Sequence, residues 1–160
     1  MKYQLAQLNI AHFELPRDHP KNADFINALD HVNAVAEAQP DFIWRFTDDG
    51  NDAIDVQAFD DPNMIVNMSV WTDMDALSAF VYRNEEHLAI MRRRREWFKK
   101  IRTHMVLWWV EEGHIPTLDE AKHKLALLEE NGPSPKAFTF KEPFPPHGED
   151  SIDAVLDDCA

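Results

Sequence analysis

Cysteine is nearly missing: Cys159 is the only one in 160 residues, so no intrachain disulfide can form and a reducing compartment is the simpler setting. Glycine is scarce too, with residues only at 50, 113, 132 and 148, which leaves no phosphate-cradling loop and no dinucleotide fingerprint. No serine sits in a nucleophile elbow, and no HExxH or Cys/His cluster occurs, so neither a covalent hydrolase nor a recognisable metal centre is offered. The longest unbroken apolar run, Met105 to Val110, is too short to cross a bilayer, and the opening MKYQLAQLNI lacks the apolar core of a signal peptide. A cytoplasmic protein without membrane contact is expected.

Positive charge is also in deficit. Sixteen basic residues face 29 acidic ones, for a net charge of −13, which disfavours nucleic acid as a partner because such binders gain from releasing counterions around a basic face. The exception is Arg92 to Arg102, where seven basic residues oppose Glu96 alone. No aromatic stacking strand or known RNA-binding module surrounds that run.

What is present suits one domain with a single core, large enough to bury roughly 70% of its unfolded surface. Alternation from Tyr3 to His12 predicts a strand, with Leu5, Gln7, Asn9 and Ala11 on one face. A helix capped near Asn22 runs to Ala38, ended by Pro40. Asp41 to Thr47 reads as a strand with Phe42, Trp44 and Phe46 on one face; DDGND at 48–52 is a turn, 53–59 a short extended segment, and DDPN at 60–63 another turn. Met64 to Trp71 is the next strand, placing Asn67, Ser69 and Trp71 together.

Thr72 with Asp75 reads as a capping box, and Asn84 as a second cap, predicting helices over about 73–82 and 85–101. In the second, Leu88, Met91, Phe98 and Ile101 form the inward stripe. The four arginines at 92–95 sweep about 300° around the axis, so one must lean inward; Arg94 or Arg95 is closest to the stripe, with Arg92 beside it.

The last strand, Thr103 to Glu111, is apolar on both faces, with Trp108 and Trp109 opposed. A tryptophan buries on the order of 200 Å², about 5 kcal/mol gross, so both faces must be covered. A second subunit's sheet or a C-terminal helix over about 117–130 can do this, and the first option predicts a homodimer. SPKAFTFKEPFPP then reads as an extended arm lying on the body, so residues 1–147 form the domain and 148–160 an acidic, disordered tail.

The order strand, helix, strand, strand, helix, strand is the split βαβ arrangement of ferredoxin-like α+β folds. Four phrases, VNMSVWTDMDALSAFVYRNEEH, RRRREWF, HMVLWWVEEGHIPTLDEA and GPSPKAFTFKEPFPP, resemble a bacterial family known as a domain of unknown function (number 3291), from about Tyr3 to Pro146. That family looks like a distant relative of the dimeric α+β barrel proteins, among them antibiotic-biosynthesis and haem-degrading monooxygenases. The resemblance implies a βαββαβ domain of dimeric α+β barrel type, here with an added C-terminal helix and arm.

In cofactor-free monooxygenases of that fold, an asparagine and a tryptophan four residues apart on a strand, with an arginine on the following helix, contact an aromatic substrate. Asn67, Trp71 and Arg92 are the counterparts, which implies catalytic roles in a monooxygenase-like enzyme acting on a small aromatic or phenolic molecule. Ser69, Asn9, His87 and Arg95 are the implied substrate-binding neighbours. An amide and an indole N–H can hold a phenolate or peroxide oxygen, and a guanidinium can stabilise developing negative charge. No cofactor is required, although the haem degraders use a helical histidine and a first-strand asparagine, for which His87 and Asn9 are the counterparts. Two other readings stay open: a non-catalytic dimer that binds a small ligand or serves in assembly, and a purely structural one in which Trp71 fills the core and the arginines solvate their helix.

Overall fold

The computed structural model describes residues 2–47 and 61–146, so the expected turn at 48–52, the segment at 53–59 and the acidic tail at 148–160 lie outside the described residues. Four strands, β1 (Tyr3–His12), β2 (Phe42–Arg45), β3 (Met64–Trp71) and β4 (Met105–Glu111), form one sheet in the order β2-β3-β1-β4 with every neighbouring pair antiparallel. Helix α1 (Ala23–Glu37) crosses from β1 to β2. Helices α2 (Met74–Arg83), α3 (Glu85–Arg92) and α4 (Arg94–Trp97) cross from β3 to β4, and α5 (Leu118–Asn131) follows. This is the ferredoxin-like βαββαβ order, with β1 and β3 central.

Alternation along these strands fixes two faces. Leu5 and Trp71 lie on the helix side, in a cluster with Ala36, Leu77, Phe80, Leu107 and Phe138. Ala6, Leu8, Ile10, Val66, Met68, Val70, Val106, Trp108 and Val110 lie on the other side, packed against Ala121, Leu125 and Leu128 of α5. A third cluster, Phe13, Phe25, Ile65 and Trp97, closes the far end of the helix side.

The second sheet face is thus buried within one chain. Thr117 caps α5 by accepting from the Glu120 N–H at 3.1 Å, and Gly132, at φ 72°, ends it. The Trp108 indole donates to Glu120 Oε2 at 2.9 Å, so its polar edge is satisfied beneath the helix. Trp109, on the opposite face, donates to the Phe144 carbonyl at 2.8 Å. The arm bonds to β4 through Leu107 N–H to Phe138 O at 2.8 Å and Phe138 N–H to Leu107 O at 2.9 Å, and Phe138 is fully buried. The bare apolar face that motivated a homodimer is therefore already covered by α5, and a second copy would have to use another surface.

Several local expectations are corrected. A bulge between Phe42 and Trp44 breaks the alternation of β2: Phe42 joins the Trp71 cluster, while Trp44 and Phe46 pack on the α5 side. Asn22 precedes α1 without a side-chain cap; its amide donates to the Pro16 carbonyl at 2.9 Å and ties down the loop. Asp73, not Thr72, caps α2, accepting from the Ala76 N–H at 2.8 Å, and Thr72 Oγ1 is buried without a partner among the described residues.

The long helix expected over 85–101 is broken at Arg93, because the chain beyond it is drawn into strand-like bonds. Glu14 N–H reaches Trp97 O, and Lys99 N–H reaches His12 O, both at 2.9 Å. Trp97 and Ile90 therefore turn inward, whereas Leu88 and Met91 remain only half-buried and outside the core clusters.

Leu125→Asp places a carboxylate between α5 and the sheet. Urea unfolding is expected to show a loss of about 3 kcal/mol or more. Sedimentation of the same variant should show self-association through the uncovered face, and an unchanged mass and midpoint would contradict the role assigned to α5.

Candidate functional site

Between the two aromatic clusters on the helix side, the central strands carry a polar strip. Gln7 faces Ser69 and Asn9 faces Asn67 across the β1–β3 pair. The Gln7 amide donates to Asn67 Oδ1 at 2.7 Å and to Ser69 Oγ at 2.8 Å, and Ser69 Oγ also accepts from the Trp71 indole at 2.9 Å. The strip is buried at one end and open at the other: Gln7, Ser69 and Trp71 are buried, whereas Asn9 and Asn67 are exposed. The Asn67 oxygen accepts from Gln7, and its amide N–H groups have no hydrogen-bond acceptor among the described residues.

Trp71 is 1% exposed. It stacks on Phe80 at 5.4 Å between centroids and meets Phe42 edge-on at 5.4 Å. Phe80 in turn contacts the His87 ring at 4.8 Å. Asn84 caps α3 by accepting from the Glu86 and His87 N–H groups, both at 3.1 Å, and this fixes where His87 begins its turn. The imidazole Nδ1–H then donates to the Val81 carbonyl at 3.0 Å, and burial pushes the imidazole below its ordinary value. The Nδ1–H bond to the Val81 carbonyl leaves Nε2 as the second ring nitrogen; the ring lies on Phe80, and His87 lines neither surface depression described below. Among the described residues no three His, Cys, Asp or Glu side chains are grouped to hold a metal, and no helix is long and apolar enough to cross a membrane.

The arginines separate into distinct roles. Arg93 is held by Asp24 on α1 at 2.9 Å and Glu96 at 2.8 Å, and lies 4.8 Å above the Trp97 ring. Glu96 first, then Asp24, push its guanidinium further toward the charged state. Arg92 approaches Glu85 at 3.8 Å with both side chains largely exposed. Arg94 and Arg95 are exposed and have no acidic partner within 4 Å among the described residues. Leu88, Met91, Arg92, Arg94 and Arg95 line a depression of about 340 Å³ on α3 and α4. A second, of about 460 Å³, lies between the start of α2 and the arm, lined by Asp73, Met74, Asp75, Trp109 and Pro143 to Pro146.

The expected site residues therefore form two groups. Asn9, Asn67, Ser69 and Trp71 share the sheet strip, and His87 reaches Trp71 only through Phe80. Arg92 and Arg95 share the α3–α4 depression, which none of the strip residues lines. Gln7, which links the strip, was not among the expected site residues. Its signal was a second polar residue, two before Asn9, on one face of a central strand.

The family described as Domain of unknown function (DUF3291) matches residues 4–154. No curated protein matches the sequence. Among solved structures, the chain is similar to the NE2512 protein of unknown function from Nitrosomonas europaea, at 13% identity and a TM-score of 0.48, over 72% of this chain and 94% of that one. It is similar to SnoaB, a cofactor-independent oxygenase from Streptomyces nogalater, at 18% identity and a TM-score of 0.49, over 71% and 98% of the two chains. A conserved protein from Methanosarcina mazei Go1 gives 12% identity and a TM-score of 0.49, over 68% and 91%. At these values the fold rests on the strand order itself, and nothing about chemistry transfers.

Gln7→Leu deletes the donor shared by Asn67 and Ser69, and a destabilisation of about 1–3 kcal/mol by urea unfolding is expected. The histidines give a pH signature. Folded His87 resists protonation while the unfolded chain takes up a proton near its ordinary value, so the unfolded state binds more protons below about pH 6.5. Stability is full above that pH and is lost as pH falls through the lower folded value. His104, lowered by burial and then by Arg94, acts in the same direction. Urea midpoints at about pH 7.5 and 5.5 should show this loss. The loss should be smaller in His87→Phe, and an equal one in the variant would reject the assignment.

Proposed function

The chain belongs to the family described as Domain of unknown function (DUF3291), and from that premise we propose that it binds a small aromatic or phenolic molecule over the exposed amides Asn9 and Asn67, on the helix side of its sheet. The supporting observation is the exposure of these two residues on the two central strands, between aromatic clusters that are closed on either side. Central-strand residues facing a helical layer are ordinarily buried, so an exposed adjacent pair marks an opening in that layer. Amide donors suit a phenol or phenolate oxygen.

A second reading, cofactor-independent oxygenation of such a molecule, is favoured by one feature. The Asn67 amide, held by Gln7 through its oxygen and exposed, is a candidate preorganised donor for developing negative charge on oxygen. In either reading the sealed, stacked Trp71 supports the strip rather than touching a ligand. A homodimer made through a surface other than the α5-covered face is compatible with both.

Incubation with hydroquinone and other electron-rich phenols under oxygen, followed by tryptophan fluorescence and an oxygen electrode, separates the readings. Binding is expected to weaken about tenfold or more in Asn67→Ala, the loss of one hydrogen bond to a charged or strongly polar group. Oxygen uptake that disappears in the same variant identifies the oxygenase, whereas binding without uptake identifies the ligand-binding protein. Affinity unchanged by Asn67→Ala and Asn9→Ala would overturn the placement of the site.

A further inference from the structure

We propose that the ligand is an organic anion, its acidic group held by Arg94 and Arg95 at the α3–α4 break and its apolar body lying against Leu88 and Met91. This rests on the small-molecule reading above and adds the chemical class.

The placement follows from helical spacing. Leu88 and Met91 have Arg92, Arg94 and Arg95 as neighbours three or four positions on, so the three arginines border one depression together with two apolar side chains. Arg93 lies off that side, where its guanidinium is fastened to Asp24, Glu96 and the Trp97 face. The chain breaks there, α3 ending at Arg92 and Arg93 taking φ −98° and ψ 2° before α4 begins.

Charge makes that grouping unusual. The chain has 29 acidic and 16 basic residues, so a guanidinium finds a carboxylate easily, and Arg93 finds two. Arg94 and Arg95 have none within 4 Å among the described residues, and three guanidinium groups around one concavity repel one another unless an anion is shared. Two planar forks beside an apolar floor match a carboxylate on a hydrocarbon or aromatic body, since guanidinium groups pair bidentately with such oxygens.

The depression also lies at the correct end of the sheet. Arg94 is close enough to His104 for its charge to oppose protonation of that imidazole. The His104 carbonyl accepts from the N–H of Ile10 at 2.8 Å, next to Asn9, and Asn9 pairs with Met105. Backbone bonds from Lys99 to His12 and from Glu14 to Trp97 set α4 at the end of β1 that carries Asn9.

The test is a matched pair of probes, 2-naphthoate and 2-naphthol, titrated by calorimetry into the full chain, Arg94→Gln, Arg95→Gln and the double variant at low and moderate salt. Both arginines are exposed, so the variants should unfold at the wild-type urea midpoint. Naphthoate is expected to bind at least tenfold more tightly than naphthol to the wild type. That advantage should shrink with added salt and disappear in the double variant, while naphthol affinity stays constant. Equal affinities for the two probes in the wild type would overturn the anion inference and leave the small-molecule reading standing; an advantage that survives in the double variant would overturn the assignment to Arg94 and Arg95. Failure of both probes to bind would remove both proposals. Inorganic phosphate serves as a third probe, and binding as tight as that of naphthoate would reject the role of Leu88 and Met91.

Discussion

The helix-facing half of this protein depends on one buried amide. Gln7 donates from a single nitrogen to Asn67 and Ser69, and Ser69 accepts in turn from Trp71, so four side chains on the two central strands are linked by bonds of 2.7 to 2.9 Å. A one-residue slip of β1 against β3 would place every partner on the wrong face and leave these polar groups buried without bonds, each at a cost of about 1–3 kcal/mol. The ladder thus helps to specify register, and register decides that Asn9 and Asn67 stand side by side with their amides exposed. The buried ladder and the exposed amides are two ends of the same strip.

The C-terminal third of the chain solves a different problem. A four-stranded sheet with apolar residues on both faces must be covered twice, and α1 to α4 cover only one side. Leu125, Leu128 and Ala121 cover the other, with Glu120 accepting from the Trp108 indole and from the His114 ring at 2.7 Å. The arm joins the β4 edge at one point, where Leu107 and Phe138 exchange backbone bonds. A sheet-on-sheet partner has become unnecessary for burial.

Much of this was legible in the residues. Strand parity alone placed Asn67, Ser69 and Trp71 on one face, gave both tryptophans of β4 opposite faces, and put Asn84 at a cap. Most of the misses turn on which hydrogen-bond partner wins, near or far along the chain. The helix break at Arg93 is set by backbone bonds from residues 12–14 to 97–99, which no local periodicity contains. The bulge in β2 is a property of its pairing with β3, and the capture of Asn22 by Pro16 O replaced a cap that local composition favoured equally well. Whether Trp71 lined a pocket or filled one depended on Phe42 and Phe80, which come from two other elements. Type and position in sequence identified the members of the strip; only packing revealed which of them a ligand can reach.

The same contrast governs the arginine run. Read along the helix, four consecutive guanidinium groups look interchangeable, one of them forced inward and in need of a carboxylate. Folded, they divide by partner: Arg93 takes the carboxylates, with Asp24 reaching it from a helix 69 residues away in sequence. Arg94 and Arg95 share instead the side of Leu88 and Met91. Pairing at one position thereby leaves positive charge unpaired at its neighbours, in a chain whose net charge would otherwise repel an acidic ligand. The α3–α4 depression is therefore a local cationic patch on an acidic chain, and salt screens the chain's long-range field within about 8–10 Å while acting less on contacts inside the patch.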